Sequence, residues 1–448
     1  MLADKIDAML KAWDSATPSL QYKEDLFCIN EGSLYDFIVK ELARTLGAES
    51  KSFQYAVQRI PPINVLRKII SKLTQIYSNP PSRLIVDGNE SDQQMLDYYV
   101  QTMSLNSYMD VTNEFYNLTK VGFAMPYFDA LANKHFIKVL LPHQFLPFAN
   151  DPNNRSKMTE LMTYQGTFDE KKHFYAYSDY EFIHFDEDGK QYPTLTEGVN
   201  IYGAIPGAYV RRSRNLFYPK DDTDMKTMTV LIPTMLADLN LASMFSCFSI
   251  MYGIDITDED RKFSPLAFWH LRSPEDSNKK PEIGTIKPEA DIDQTINLIV
   301  SEFSMWLNSK GIKPGSIGQI NVDSVASGIS KIIDEMDTFE DRKKQAEVFS
   351  QWEANDLWPL IMHKMHPVWI AQGMQTNKMF TPTAKVAVEF PEQRPMKSRA
   401  ELVAEYSAEV SAGFLSRQMA IKALNPNMSD EEIAAMVTEI NEPATVEI

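Results

Sequence analysis

Four stretches of the chain carry side chains whose types and spacing could do chemistry. His363 and His366 stand three apart on one expected helix face, so two imidazoles could meet a metal. No carboxylate pattern accompanies them, and the plainer reading is two half-exposed polar residues ahead of Pro367. "DITDED" (255–260) and "ADIDQ" (290–294) crowd carboxylates as a metal-dependent hydrolase would, yet both fall at element ends, where Asp usually caps a helix or faces water. "GIKPGSIG" (311–318) is glycine-rich, but no G-x-x-x-x-G-K-[ST] exists to cradle a phosphate. "RRSRNLFYPK" (211–220) interleaves basic and aromatic residues, which suits nucleic acid, a subunit contact or a solvated loop. H-E-x-x-H and G-x-S-x-G are both absent from the sequence. These residues assemble no convincing active site.

The bulk composition narrows the classes further. The chain has 448 residues, 44% hydrophobic and 23% charged, enough apolar material for two or three cores. A formal charge of -17 disfavours plain adhesion to nucleic acid or to an anionic membrane. With only Cys28 and Cys247, a disulfide framework is excluded and zinc spacing is missing, as expected in a reducing compartment. The start, "MLADKIDAMLKAWDS", is charged too early and too often for a signal peptide. Thr229 to Gly253 is long enough for a bilayer. Against a span stand Pro233, Asp238, Asn240 and the hydroxyls of Thr234, Ser243, Ser246 and Ser249. The stretch reads instead as a helix apolar on most faces, which protein must cover all round, neighbouring subunits included.

The elements that position these residues follow from periodicity. Residues up to about 120 read as mainly helical, with Val65, Leu66, Ile69, Ile70, Leu73 and Ile76 at helical spacing and Pro80–Pro81 as the stop. From about 123 to 220 apolar and polar residues alternate, rich in Phe and Tyr, and Asp188-Gly189 signals a hairpin. A helix is expected near 224–252, then an insertion with strand candidates "LAFWHL" and "EIGTI". Asp291 with Gln294 opens the next helix, striped by Ile292, Ile296, Ile299, Val300, Phe303 and Leu307. A polar loop interrupts it, and a helix striped by Val322, Val325, Ile329, Ile332, Ile333 and Met336 follows, kinked near Pro359. "TAKVAVEF" reads as a strand. Ser398 with Glu401 and Ser429 with Glu432 are capping boxes, and Gly413 ends the first of these helices.

This succession resembles the portal proteins of tailed bacteriophages. The resemblance rests on "IPGAYVRR…FYPKDDTDM", "IGTIKPEADIDQTINLIVSEF", "SVASGISKIIDEM" and the closing "VAVEFPEQRPMKSRAELVAEYSAEVSAGFLSRQMAIKALNPNMSDEEIAAMVTEI". It covers most of residues 120–445 and lies in the order of elements more than in any one motif. It implies an α+β, portal-like fold in a ring of about twelve subunits. The parts would be a mixed helical and strand wing (1–222), a stem helix (223–253), a strand-bearing clip (254–288) and a second stem helix (289–308). A tunnel loop (309–321), a long kinked helix and strand returning to the wing (322–394) and a short helical crown (395–448) would complete it.

In such a ring the tunnel loop faces double-stranded DNA through Lys310, Gly311, Lys313, Pro314, Gly315, Ser316, Gln319 and Asn321. The clip meets the packaging motor and later the tail adaptor through Arg272, Glu275, Asp276, Lys279 and Lys280. The resemblance implies no catalysis, no cofactor, no metal and no membrane. Its partners are the terminase large subunit, the tail adaptor, and the major capsid and scaffolding proteins. Its place is the virion's capsid vertex, and the host cytoplasm during assembly. The physics suits a conduit: fixed cations on phosphates add affinity, so an acidic wall with a few mobile lysines lets a polyanion slide. Two rivals stand beside this reading, another ring-forming head-tail adaptor and a metal-dependent hydrolase. The plain reading of the loop is a long helix–helix connector.

Overall fold

The computed structural model describes the chain except residues 62, 152–153, 155, 214–215, 248–249, 255–281, 287–291, 313–327, 375–377 and 392–398, and all of 426–448 but 433, 436 and 437. The fold is α+β, and its residues divide into two compact units. The first comprises Met1–Gly318 with Lys344–Pro391, the second Gln319–Lys343 with Glu392–Ile448.

The first unit begins with helices α1 (Ile6–Cys28), α2 (Leu34–Leu46), α3 (Lys51–Val57) and α4 (Val65–Leu73). The expected apolar stripe of α4 is buried from Val65 to Leu73, and the Asn64 side chain caps it by accepting from Arg67 N at 3.0 Å. The helix stops well before Pro80. Ile76 and Tyr77 turn into the core instead, and β1 (Ser82–Val86) interrupts the expected helical region. α5 (Glu90–Thr102) opens on a capping box of Asn89 and Asp92, and α6 (Leu105–Thr119) follows.

The strand-rich middle divides into two antiparallel sheets. β2 (Val121–Asp129), β3 (Lys134–Val139) and β9 (Ala208–Arg211) form one, in the order β3-β2-β9. The other runs β4 (Phe145–Phe148), β5 (Glu160–Phe168), β6 (Lys171–Tyr177), β7 (Phe182–Asp186) and β8 (Gln191–Tyr192) as a meander. Gly189 takes φ 80° in the β7–β8 turn, the left-handed position that the Asp-Gly pair predicts. One face of this sheet is buried by α1, with Trp13 edge-on to Phe174 at 5.1 Å between centroids.

α7 (Thr223–Cys247) and α8 (Ile292–Ser309) pack on each other and on the N-terminal helices in one apolar core. Between them β10 (Ile250–Ile254) pairs antiparallel with β11 (Glu282–Ile286). The expected helix to about 252 thus ends at Cys247, because the β-branched and aromatic "IMYGI" goes to a strand. "EIGTI" is a strand as expected, while "LAFWHL" lies outside the described residues. No described helix is long and apolar enough to cross a membrane.

α9 (Gly328–Trp352) contributes to both units and continues as wide, π-type turns at Glu353–Leu357 and Leu360–Met365 before α10 (His366–Ala371). The kink expected near Pro359 therefore takes the form of two π segments. β12 (Lys385–Glu389) then pairs with β1, joining positions about 300 residues apart into a two-stranded clasp. The clasp does not grow. Gln93 accepts from Ile85 N at 2.8 Å and donates to Arg83 O at 3.1 Å, occupying the free edge of β1. Ser350 donates to Val388 O at 2.5 Å on the edge of β12. Beneath the clasp the Arg83 guanidinium grips Glu353 at 2.6 and 3.0 Å, and both side chains are almost fully buried. Tyr77 Oη adds a hydrogen bond to the same carboxylate at 2.6 Å, and Asn106 accepts from Arg83 at 2.8 Å.

In the second unit, α11 (Arg399–Ser411) and α12 (Arg417–Leu424) form a hairpin. Gly413 ends α11 as expected, at φ 79°, and Ser416 caps α12 through Met419 N. Ser398, Ser429 and Glu432 of the expected capping boxes lie outside the described residues, as does Asp291.

Candidate functional site

The histidine pair is structural. His366 is fully buried, donating from Nε2 to Lys378 O at 2.8 Å, so its Nδ1 accepts from Tyr99 Oη at 2.6 Å. Burial holds its pKa below the usual imidazole range. His363 is exposed and meets the carbonyl of Ala384 at 3.1 Å. The half-exposed reading of both is corrected accordingly: one lies in the core and one in water. No group of three or more metal-ligating side chains occurs among the described residues. In the basic stretch, Arg211 is spent locally on Ser213 O and Ser156 O, with its guanidinium over the Phe217 ring.

The element pair that the sequence singles out is α7 with α8. They run antiparallel, joined at one end by β10–β11 and at the other by a cluster of charges. The buried seam of α7 includes Met225, Thr229, Ile232, Ala237 and Leu241, and the Thr229 and Thr234 hydroxyls return to the helix's own carbonyls. Leu231, Met235 and Leu239, a row at i, i+4 spacing, remain half-buried. On α8 the seam is Ile299, Trp306 and Leu307. Ile296 and Val300 from the expected stripe are instead exposed, as are Leu298 and Met305. Measured from Ile299 at about 3.6 residues per turn, Ile296 and Val300 lie roughly 60–100° to one side, the side on which Leu307 is buried further along the helix, and Leu298 and Met305 roughly 100–120° to the other. α8 thus shows apolar surface on both sides of Ile299, on one of them only in its first half.

α8 ends on Gly311, at φ 70°. Gly311 N donates to Asn308 O and Ile312 N to Leu307 O, both at 3.0 Å. These paired bonds make a Schellman cap, with Ile312 and Leu307 buried together in the same core. Lys310 sits inside the cap. Its ammonium meets Asp222 at 3.1 Å and Asp224 at 2.9 Å, and its side chain is only 16% exposed. Trp306 Nε1 donates to Asp224 at 2.9 Å. Lys120, at the end of α6, meets Asp222 at 2.9 Å and donates to Lys220 O at 3.0 Å. From α1, Tyr22 Oη donates to Asp222 O and Ser19 Oγ to Asp221 at 2.6 Å. Burial pushes the Asp222 carboxyl up, but the hydrogen bonds and charges of Lys120 and Lys310 outweigh it and hold its pKa below the usual range. Asp224 in the first turn of α7 and Lys310 at the end of α8 also suit both helix dipoles.

The structure therefore revises two expected loop residues. Lys310 is an ion-paired anchor and Gly311 a helix cap, so neither belongs to a free loop tip. Lys313, Pro314, Gly315, Ser316, Gln319 and Asn321 lie outside the described residues, as do Arg272, Glu275, Asp276, Lys279 and Lys280. Sequence reasoning missed the role of Asp222, Asp224 and Lys120, although "LNSKGI" carries the signature of the cap: Gly after the last turn, then an apolar residue.

No family model matches the chain. No curated protein matches it. Among solved structures it is similar to the "neck of empty GTA particle computed with C6 symmetry", at 10% identity and a TM-score of 0.41, over 86% of this chain and 93% of that one.

Proposed function

We propose that this chain is the subunit of a portal ring, the head-to-tail conduit through which a tailed phage packages, retains and ejects double-stranded DNA. The observation that carries the reading is the apolar surface on both flanks of α8. A helix with a neighbour on each side buries both flanks when heterologous contacts close into a ring. In a lone chain the same residues stay in water. The half-buried apolar row of α7 and the formal charge of -17 fit the same arrangement. An acidic wall adds few phosphate contacts and leaves DNA free to move.

In this reading β10–β11 is the base of the clip, and Lys313 is the loop lysine that meets phosphates. The motor and the tail adaptor dock beyond the clip base, capsid and scaffolding proteins meet the wing, and the chain itself catalyses nothing. Native mass measurement with particle images tests the ring: about twelve copies around an open channel are expected, and a stable monomer overturns it. Reversing the charge of Lys279 and Lys280 is expected to weaken motor binding. Unchanged binding removes them from that contact.

A further inference from the structure

We propose that the 221–224 turn and Lys310 form a salt-released latch that fixes the end of α8 to the wing helices. Groups from three other helices meet this turn, which itself opens α7. α1 gives Ser19 and Tyr22, α6 is followed by Lys120, and α8 supplies Trp306 and then Lys310, the last two meeting Asp224. The Gly311 cap and the Leu307–Ile312 contact across it set where α8 stops, but they do not tie that end to α6 or to the opening of α7. The two charged contacts of Lys310 supply that tie. They bind the cap to the opening of α7 and, through the Asp222 carboxylate shared with Lys120, to the end of α6.

The latch is releasable because its carboxylates are partly open to water, 43% for Asp222 and 41% for Asp224. Ions screen such pairs at a Debye length of about 3 Å in 1 M salt, while the Leu307–Ile312 contact is indifferent to salt or strengthened by it. Charge and apolar contributions to the cap are therefore separable. Lys310 acts on where the chain leaves α8, not on phosphates. Only its bearing on DNA transport rests on the ring reading above.

Hydrogen exchange at the Gly311 and Ile312 amides of the full chain tests the latch directly, since both donate within the cap. At low salt, Lys310→Met is expected to speed their exchange by about three- to tenfold. Lys310→Arg should keep most of the protection, and amides in α4 should not change. Wild type in 1 M sodium chloride should approach Lys310→Met at low salt. Equal exchange in wild type and Lys310→Met overturns the latch, and so does faster exchange in the variant with no salt response in wild type. If Lys310→Met fails to fold, the wild-type salt titration decides alone, and a flat response overturns the proposal. Native mass taken on the same samples reports the ring separately, so a monomer with a salt-sensitive cap retains the latch and rejects the ring.

Discussion

Arg83–Glu353 and Lys310–Asp222–Asp224 are both charge contacts between residues far apart in sequence, yet their surroundings give them opposite properties. Arg83 and Glu353 are sealed in the core, bidentate, with Tyr77 and Asn106 satisfying further positions. A charge so enclosed cannot return to water when its partner is lost, so the pair is rigid and intolerant. The Lys310 cluster has two carboxylates open to solvent, so each contact is worth less and responds to ions. Depth, more than the number of contacts, separates a permanent fastening from an adjustable one.

The sharpest way to break the contrast is Glu353→Ala. It strands the Arg83 guanidinium and is expected to cost about 3–5 kcal/mol in urea unfolding, with little salt dependence. The double variant Arg83→Met/Glu353→Leu should recover most of that loss, because no charge stays buried. A double variant as unstable as the single one makes the site a matter of shape.

Acid should separate the regions next. His135 is fully buried against Tyr99 and Trp369 in the same core as Glu353. Burial, with a smaller contribution from His366, lowers its pKa from 6.5 to about 4. A depressed imidazole pKa means the unfolded chain takes up the proton first. Its contribution is complete above pH ~6.5 and declines as pH falls toward 4, by at most about 3 kcal/mol. His135→Phe should flatten the stability profile between pH 7 and 5, and an unaltered slope places the acid response elsewhere. Asp222 also has a lowered pKa, so its contribution holds above the ordinary carboxylate range and is lost only at lower pH.

The smallest effect belongs to Lys120→Met. It should lower stability by about 1 kcal/mol or less at low salt and by nothing measurable at high salt. A larger, salt-independent loss would move this cluster into the class of the buried pair.

What the sequence made legible was local. The stripe of α4, the Asp188-Gly189 turn, "EIGTI", β12 and the Gly413 stop are each set by residues close in the chain, and each is present in the fold. The α8 stripe is legible as a helix, but that Ile296 and Val300 face water is not, since spacing does not report what covers a face. β1 escaped because its partner lies about 300 residues away and two prolines precede it. "IMYGI" does not separate from the preceding helix in sequence, because short apolar runs suit helix and strand alike. The anchoring of Lys310 is not legible, because its two carboxylates lie 88 and 86 residues earlier in the chain. Its pairing is non-local, and no period encodes it.

The Gln93 side chain, lying where a further strand would pair with β1, has a consequence for crowding. Exposed backbone edges are templates for runaway aggregation when many identical molecules gather. With one amide occupying those positions, and Ser350 bonded on the opposite border, this miniature sheet is a poor seed for fibres. At this sheet a second copy would meet side chains, whose chemistry can discriminate, and not a main-chain ladder, which cannot.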